Sequence, residues 1–270
     1  MTTYNNLAVV ICHAVFHTPI LSEPLIQEFK PHDIEVFCPQ LPTSDLRRLD
    51  VGDLNNPDFD REPPATGYPS EWDDVEVDRP VLVVGHCTGA WVATESARPE
   101  LHMKFWRAGG IIGIFYIGGF VFPVGESVLT FYLNGAMTEP TPFKKMHKYG
   151  TDGLITMTDA PRYLLNDLDK DTARKWAAKL TATPNLDATL ANDAYSALHC
   201  AYLVLDAQKV LTKEFQEWMI RMRNFTIYHA PAGHSPQLSW TTGLAEKLME
   251  FANRILASYP WLFMVYLFWF

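Results

Sequence analysis

The stretch Val81–Ala90 reads VLVVGHCTGA, a β-branched run that ends in Gly-His-Cys-Thr-Gly. A buried strand that turns sharply into a helix between Gly85 and Gly89 lifts the central side chain, Cys87, to the top of a sheet, the arrangement of a nucleophile elbow. Serine usually stands in that place. A thiol is the stronger nucleophile once ionised, and the positive end of the following helix favours the thiolate. The plainer reading, a small buried residue at a βα turn, leaves the two flanking glycines without a reason.

Such a nucleophile needs a base. His234 stands in Ala232-Gly233-His234-Ser235-Pro236, a loop between an apolar strand and the last helix, where an imidazole can reach across to the elbow. The alternative is an exposed loop histidine. His229 ends an apolar run and reads as a structural residue. A carboxylate that holds the imidazole is expected after the run Ala201–Leu205, and Asp206 sits at that strand end. Its plainer roles are to cap the strand or to pair with Lys209. Oxyanion donors are expected from the backbone of Thr88 and of the loop Ala14, Val15 and Phe16 after the first strand. His13 and His17 flank that loop and would line the pocket. No HExxH, Cys/His cluster, GxGxxG or P-loop is present, so neither a metal nor a nucleotide cofactor is expected.

These residues need a frame that brings three loops together at one sheet edge. Candidate buried strands are Leu7–Cys12, Ile34–Phe37, Val81–Val84, Gly110–Ile117, Ala201–Leu205 and Phe225–His229. Helical spacing over Thr18–Phe29, Gly89–Ala97 and Gln237–Ser258 supplies covering helices. The fold class expected is α/β: a mostly parallel twisted sheet with flanking helices. Two stretches break the alternation. Residues 49–78 are acidic and Pro-rich and read as a surface excursion. Residues 124–198 leave the strand pattern, with helix-like segments at Asp169–Leu180 and Leu186–Ala197, and read as a helical cap that closes over a site and selects substrate. The domain reading is therefore a core of residues 1–123 and 199–260, a cap of 124–198, and a tail of 261–270.

That tail, WLFMVYLFWF, is wholly apolar and ten residues long, about half of what a bilayer span requires. A homodimer contact is the preferred reading, ahead of intramolecular packing and membrane contact. Twenty-two basic against 31 acidic residues give a net charge of -9, which repels phosphate backbones, so no nucleic-acid partner is expected. The four cysteines form no CxxC pair and the start MTTYNN lacks a basic signal region. Reduced thiols in a cytoplasmic protein are expected.

The ordered set of motifs resembles the α/β-hydrolase fold, in the branch of plant methylesterases, hydroxynitrile lyases and fungal hydrolase-like enzymes of secondary metabolism. It comprises ICHAVFHTPILSEPLIQEF, FCPQLPTSD, VVGHCTGA, GGIIGIFYIGGFVFPVGES, YLLNDLDKDTARKWAAKL, AYLVLDAQKVLTKEFQEWMI and APAGHSPQLS, and spans nearly the whole chain. The departures are Cys87 for the family serine, Ala14 for the glycine after the loop histidine, and Gln208 where the branch has its acid. The resemblance thus implies either Asp206 or the amide of Gln208 as the group that orients His234. It implies an enzyme of hydrolase type that makes an acyl-Cys87 intermediate from a small apolar ester, lactone or thioester. The same departures also suit a non-hydrolytic cyclase, lyase or isomerase acting on a polyketide- or terpenoid-like intermediate. A non-catalytic ligand-binding or interaction protein on the same scaffold is the third reading.

Overall fold

Apolar runs without alternation form the centre of a parallel sheet, because both faces of such strands are covered. The computed structural model describes residues 6–45, 79–104, 109–128, 130, 146–150, 153–184 and 186–259; the acidic stretch at 49–78 and the tail at 261–270 lie outside them. Strands β1 (Ala8–Cys12), β2 (Glu35–Phe37), β3 (Pro80–His86), β4 (Gly110–Ile117), β7 (His199–Leu205) and β8 (Thr226–Ala230) make one sheet in the order β2-β1-β3-β4-β7-β8. Every pairing in it is parallel. A separate antiparallel hairpin joins β5 (His147–Tyr149) to β6 (Ile155–Met157).

Residues of β1, β3 and β4 are buried throughout. Alternate side chains go to opposite layers. Val9, Ile11, Leu82, Val84, Phe115 and Leu203 pack with helix α1 (Glu23–Phe29) and helix α7 (Thr241–Leu256). Val10, Val83, Ile114, Tyr116 and Tyr202 pack on the other side with helix α2 (Gly89–Ser96) and helix α5 (Lys213–Ile220). A register shift between Val81 and Leu82 lets Ile112 and Phe115 share a face, which strict alternation along β4 would forbid.

Four expectations are corrected. Two of the strands expected to be buried, at Ile34–Phe37 and Phe225–His229, are the edges β2 and β8, and they are half exposed because only one neighbour covers each. The first helix opens with a 3-10 turn, Pro19–Ser22, before α1. The last is interrupted at Trp240, which separates helix α6 (Pro236–Ser239) from α7, and a Cβ on Gly243 would meet the Trp240 ring at 2.1 Å. Of the two helices expected between β4 and β7, one forms, α4 (Lys170–Ala177), capped by the Asp169 carboxylate on the N–H groups of Asp171 and Thr172. A shorter helix, α3 (Ala160–Tyr163), precedes it. The other, at Leu186–Ala197, is irregular with one 3-10 turn, Ala194–Ser196. Its backbone is claimed from outside: Glu95 Oε2 accepts from the N–H groups of Ala191 and Asn192, and Asn192 Nδ2 donates to the carbonyls of Thr94 and Ala97. Among the described residues no helix is long and apolar enough to cross a membrane.

Candidate active site

The elbow forms where β3 runs out. Cys87 has φ 54°, a left-handed conformation that a non-glycine residue holds only under constraint from its surroundings. The constraint is on both sides of it. Cys87 N–H donates to Ile117 O (3.1 Å), and Cys87 O accepts from Ala90 N–H (3.2 Å) and Phe120 N–H (3.0 Å). Helix α2 can start at once because Gly89 lies against β1: a Cβ there would sit 2.1 Å from Cys12 O and 2.5 Å from His13 O. Gly89→Ala is accordingly expected to cost about 3 kcal/mol or more, the upper end of overpacking penalties, since backbone atoms rather than side chains must give way. Urea unfolding of the variant checks this; an unchanged midpoint would show that the elbow yields.

Cys87 is 3% exposed. It lies in an apolar cluster with Ala14, Phe16, Phe120 and Phe122 of the loops after β1 and β4 and with Met146, Leu164 and Leu165 of the segment between β4 and β7. Burial pushes the thiol up to about 12, against a lesser opposing effect of the Thr88 N–H that faces it. The expected lowering by the helix N-terminus is therefore corrected: desolvation of a thiolate outweighs it here.

The loop after β1 carries five of the candidate residues. Phe16 has φ 65°. His17 N–H donates to Ala14 O (3.1 Å), and Val15 N–H donates to Thr88 Oγ1 (2.8 Å). One expected oxyanion donor, the Val15 N–H, is thus already engaged by the side chain of the residue that supplies the other. His13 serves the fold: its Nδ1 pairs with Ala14 O (3.0 Å), and its Nε2 accepts from Leu41 N–H (3.3 Å).

His234 is fully buried. Its carbonyl accepts from His86 Nε2 (2.8 Å) and its N–H donates to Asn166 Oδ1 (3.3 Å). Its Nδ1 faces Gln208 Oε1 at 2.5 Å. An amide oxygen only accepts, so Nδ1 carries the hydrogen and Nε2 the lone pair. No described protein group, Cys87 included, is hydrogen-bonded to that Nε2. Asp206 lies elsewhere. Its Oδ1 accepts from Lys213 Nζ (2.7 Å) and His229 Nδ1 (3.2 Å) with the side chain a third exposed, and the Lys213 ammonium, ahead of His229, holds its carboxyl below the usual range. The placement expected for Asp206 is thus corrected, and its cationic partner is Lys213 rather than Lys209. Asp206 N–H and Ala207 N–H bond back to Ala230 O and Ala232 O, so the side chain that turns inward to the imidazole is that of Gln208.

Four imidazoles share this interior. Ring centroids of His86 and His234 are 5.0 Å apart, those of His17 and His86 5.4 Å, and those of His17 and His234 6.2 Å. Burial holds His13 and His86 at about 4. Burial, reinforced by neighbouring imidazoles, keeps His17 and His234 well below their ordinary value. All four are neutral at pH 7.

Sequence reasoning missed two residues of the segment between β4 and β7. Asn166 Nδ2 donates to Ala207 O (3.0 Å) while its Oδ1 holds His234 N–H, so one side chain ties together the loops that carry Gln208 and His234. Asp167 accepts from Gly233 N–H and Ser239 Oγ. Neither has a spacing signal; each merely sits in a polar turn. The segment also reaches the loop after β1, where Thr181 N–H donates to Phe16 O (2.8 Å) and His147 lies edge-on to the Phe16 ring.

A profile described as Alpha/beta hydrolase family matches residues 9–247, and the chain belongs to that family. No curated protein matches it in sequence. Among solved structures it is similar to polyneuridine aldehyde esterase, with TM-score 0.71 and 14% identity over 92% of this chain and 99% of the other. It is similar also to the methylesterase MES16 from Arabidopsis (TM-score 0.64, 16% identity, 92% and 99% covered). A third is tomato methylketone synthase I complexed with 2-tridecanone (TM-score 0.67, 14% identity, 93% and 99% covered). At these identities the likeness is one of fold.

Proposed function

We propose that this member of the alpha/beta hydrolase family transfers acyl groups through Cys87, with His234 as base and Gln208 as the group that orients it. The observation that carries the reading is the Gln208 Oε1 contact to His234 Nδ1, which leaves Nε2 free as acceptor on a ring that neighbours His86 of the elbow. The substrate class is a small apolar ester, lactone or thioester, supported by the phenylalanine and leucine side chains around the thiol. His234 Nε2 takes the thiol proton as sulfur adds to the carbonyl carbon. The intermediate then collapses, His234 returns the proton to the leaving oxygen or sulfur, and water activated by the same imidazole frees the acyl group.

The two departures from the usual residues compensate each other. A neutral amide stabilises an imidazolium less than a carboxylate does, so the base is weakened. A thiol at about 12 nevertheless gives up its proton more readily than water, and by the same token more readily than a serine hydroxyl. Cysteine paired with histidine and an amide works in papain-like proteases. All four cysteines are free thiols, in keeping with a cytoplasmic setting.

The hydrogen bond of Val15 N–H to Thr88 Oγ1 favours a second reading. With one oxyanion donor engaged, the pocket would suit a non-hydrolytic cyclase, lyase or isomerase in secondary metabolism, where neutral imidazoles move protons on a polyketide- or terpenoid-like intermediate. In that case Cys87→Ala keeps activity.

Gln208→Glu tests the acyl-transfer assignment. In the native chain the base stays unprotonated well into acid, because its folded value lies well below 6.5. A carboxylate facing Nδ1 raises that value, so the acid limb of kcat/KM for p-nitrophenyl butyrate is expected to move up by about 1 to 3 pH units. A limb that stays in place would show that Gln208 does not act on the base.

A further inference from the structure

Addition to a carbonyl needs donors for its oxygen, and of the three loop N–H groups expected to serve, that of Val15 is in use, bonded to Thr88 Oγ1. Two residues on, the turn closed by His17 N–H on Ala14 O brings in an imidazole that is 1% exposed. Its Nδ1 faces Gln237 Nε2 at 3.4 Å. An amide nitrogen only donates, so here Nδ1 holds the lone pair and Nε2 the hydrogen. No described protein group accepts from that Nε2. The ring stands edge-on to His234 at 6.2 Å and lies 5.4 Å from His86, the residue before Cys87. Gln208 and Gln237 thus set two buried neighbouring imidazoles in opposite tautomers, one with an accepting and one with a donating Nε2.

We propose that His17 is a further catalytic residue, a neutral imidazole whose Nε2–H donates to the substrate carbonyl oxygen in the place that Val15 N–H does not fill. The proposal rests on the acyl-transfer reading. Sulfur bonds to the carbonyl carbon, the thiol proton passes to His234 Nε2, the C=O π pair moves to oxygen, and that oxyanion accepts the hydrogen bond from His17. No proton leaves His17, so none has to be returned. Burial keeps the ring neutral, and His86, His234 and His13 around it oppose a charge further. A neutral imidazole, its basicity lowered by its setting, can polarise a carbonyl as a donor.

The test is to titrate the full-length protein, 15N-labelled at histidine, with an alkyl trifluoromethyl ketone, which a thiol adds to reversibly as a hemithioketal. In the free protein His17 is expected to be protonated at Nε2 alone and His234 at Nδ1 alone. On adduct formation at Cys87 the His17 Nε2–H resonance should move downfield. His17→Phe should weaken the adduct about 10²-fold, the loss typical of an oxyanion donor, and His17→Gln, which keeps an N–H, should recover part of it. An adduct without change at His17, or a His17 protonated at Nδ1, would overturn the proposal and leave the acyl-transfer reading standing. No adduct at all would sink that reading and this proposal with it. If the Phe variant fails to fold, the wild-type spectrum and the Gln variant still decide.

Discussion

Cys87→Ala is expected to lower kcat/KM for activated thioesters and esters by at least about 10³, with the fold retained. The thiol is the group through which the proposed acyl transfer runs, and alanine accepts the same burial among Phe16, Phe120 and Leu164. Cys87→Ser is the sharper comparison. It restores the residue usual at such elbows but leaves Gln208 as the orienter, so a harder deprotonation falls to a base without a carboxylate behind it. The single variant should be slower than the native enzyme by about 10² or more, and adding Gln208→Glu should recover much of the loss, because the two positions act as a unit and their effects do not add. Steady-state kinetics on the native chain and these variants measures both effects. Activity in Cys87→Ala within twofold of native would transfer the account to the non-hydrolytic reading.

Acid is expected to destabilise the folded chain in the window between about pH 6.5 and about pH 4. His13 and His86 bind protons at about 4 in the fold against an ordinary 6.5, so the unfolded chain binds more protons throughout that window and stability falls as pH falls. Each of the two contributes roughly 3 kcal/mol once the pH is below its folded value. His17 and His234 add to the loss in the same direction. The sum rivals the whole stability of an ordinary domain, about 5 to 15 kcal/mol. The carboxylates of Asp169 and Asp206, lowered from 3.8, work in a different window, because the stability they lend is lost only as pH falls below that value. Urea midpoints at about pH 7.5 and about pH 5 should therefore differ steeply; equal midpoints would mean that the imidazoles are not held neutral by burial.

What the sequence made legible follows from how strictly each feature is constrained. The elbow could be read because Gly89 has no alternative: any side chain would enter the β1 backbone. The central strands could be read because a parallel sheet covered on both faces demands unbroken apolar runs, as in β3 and β4. The position that orients His234 was harder. Residues alone pointed to the first carboxylate after β7, whereas the chain continues its pairing through Asp206 and Ala207 and turns inward one step later, at Gln208. The helix expected at Leu186–Ala197 lost to long-range bonds from Glu95 and to Thr94, which no local pattern announces. The Thr88 hydroxyl on Val15 N–H and the Asn166 bridge are likewise contacts between distant segments, and spacing carries no trace of either.

The most direct test of acyl transfer through Cys87 is intact-protein mass spectrometry of the native chain and of Cys87→Ala during turnover of a short-chain acyl thioester, followed by peptide mapping. The account predicts one added acyl group on the native protein, mapped to Cys87, and none on Cys87→Ala. Turnover of the thioester with no acyl group on Cys87, or an equal adduct on Cys87→Ala, would contradict it.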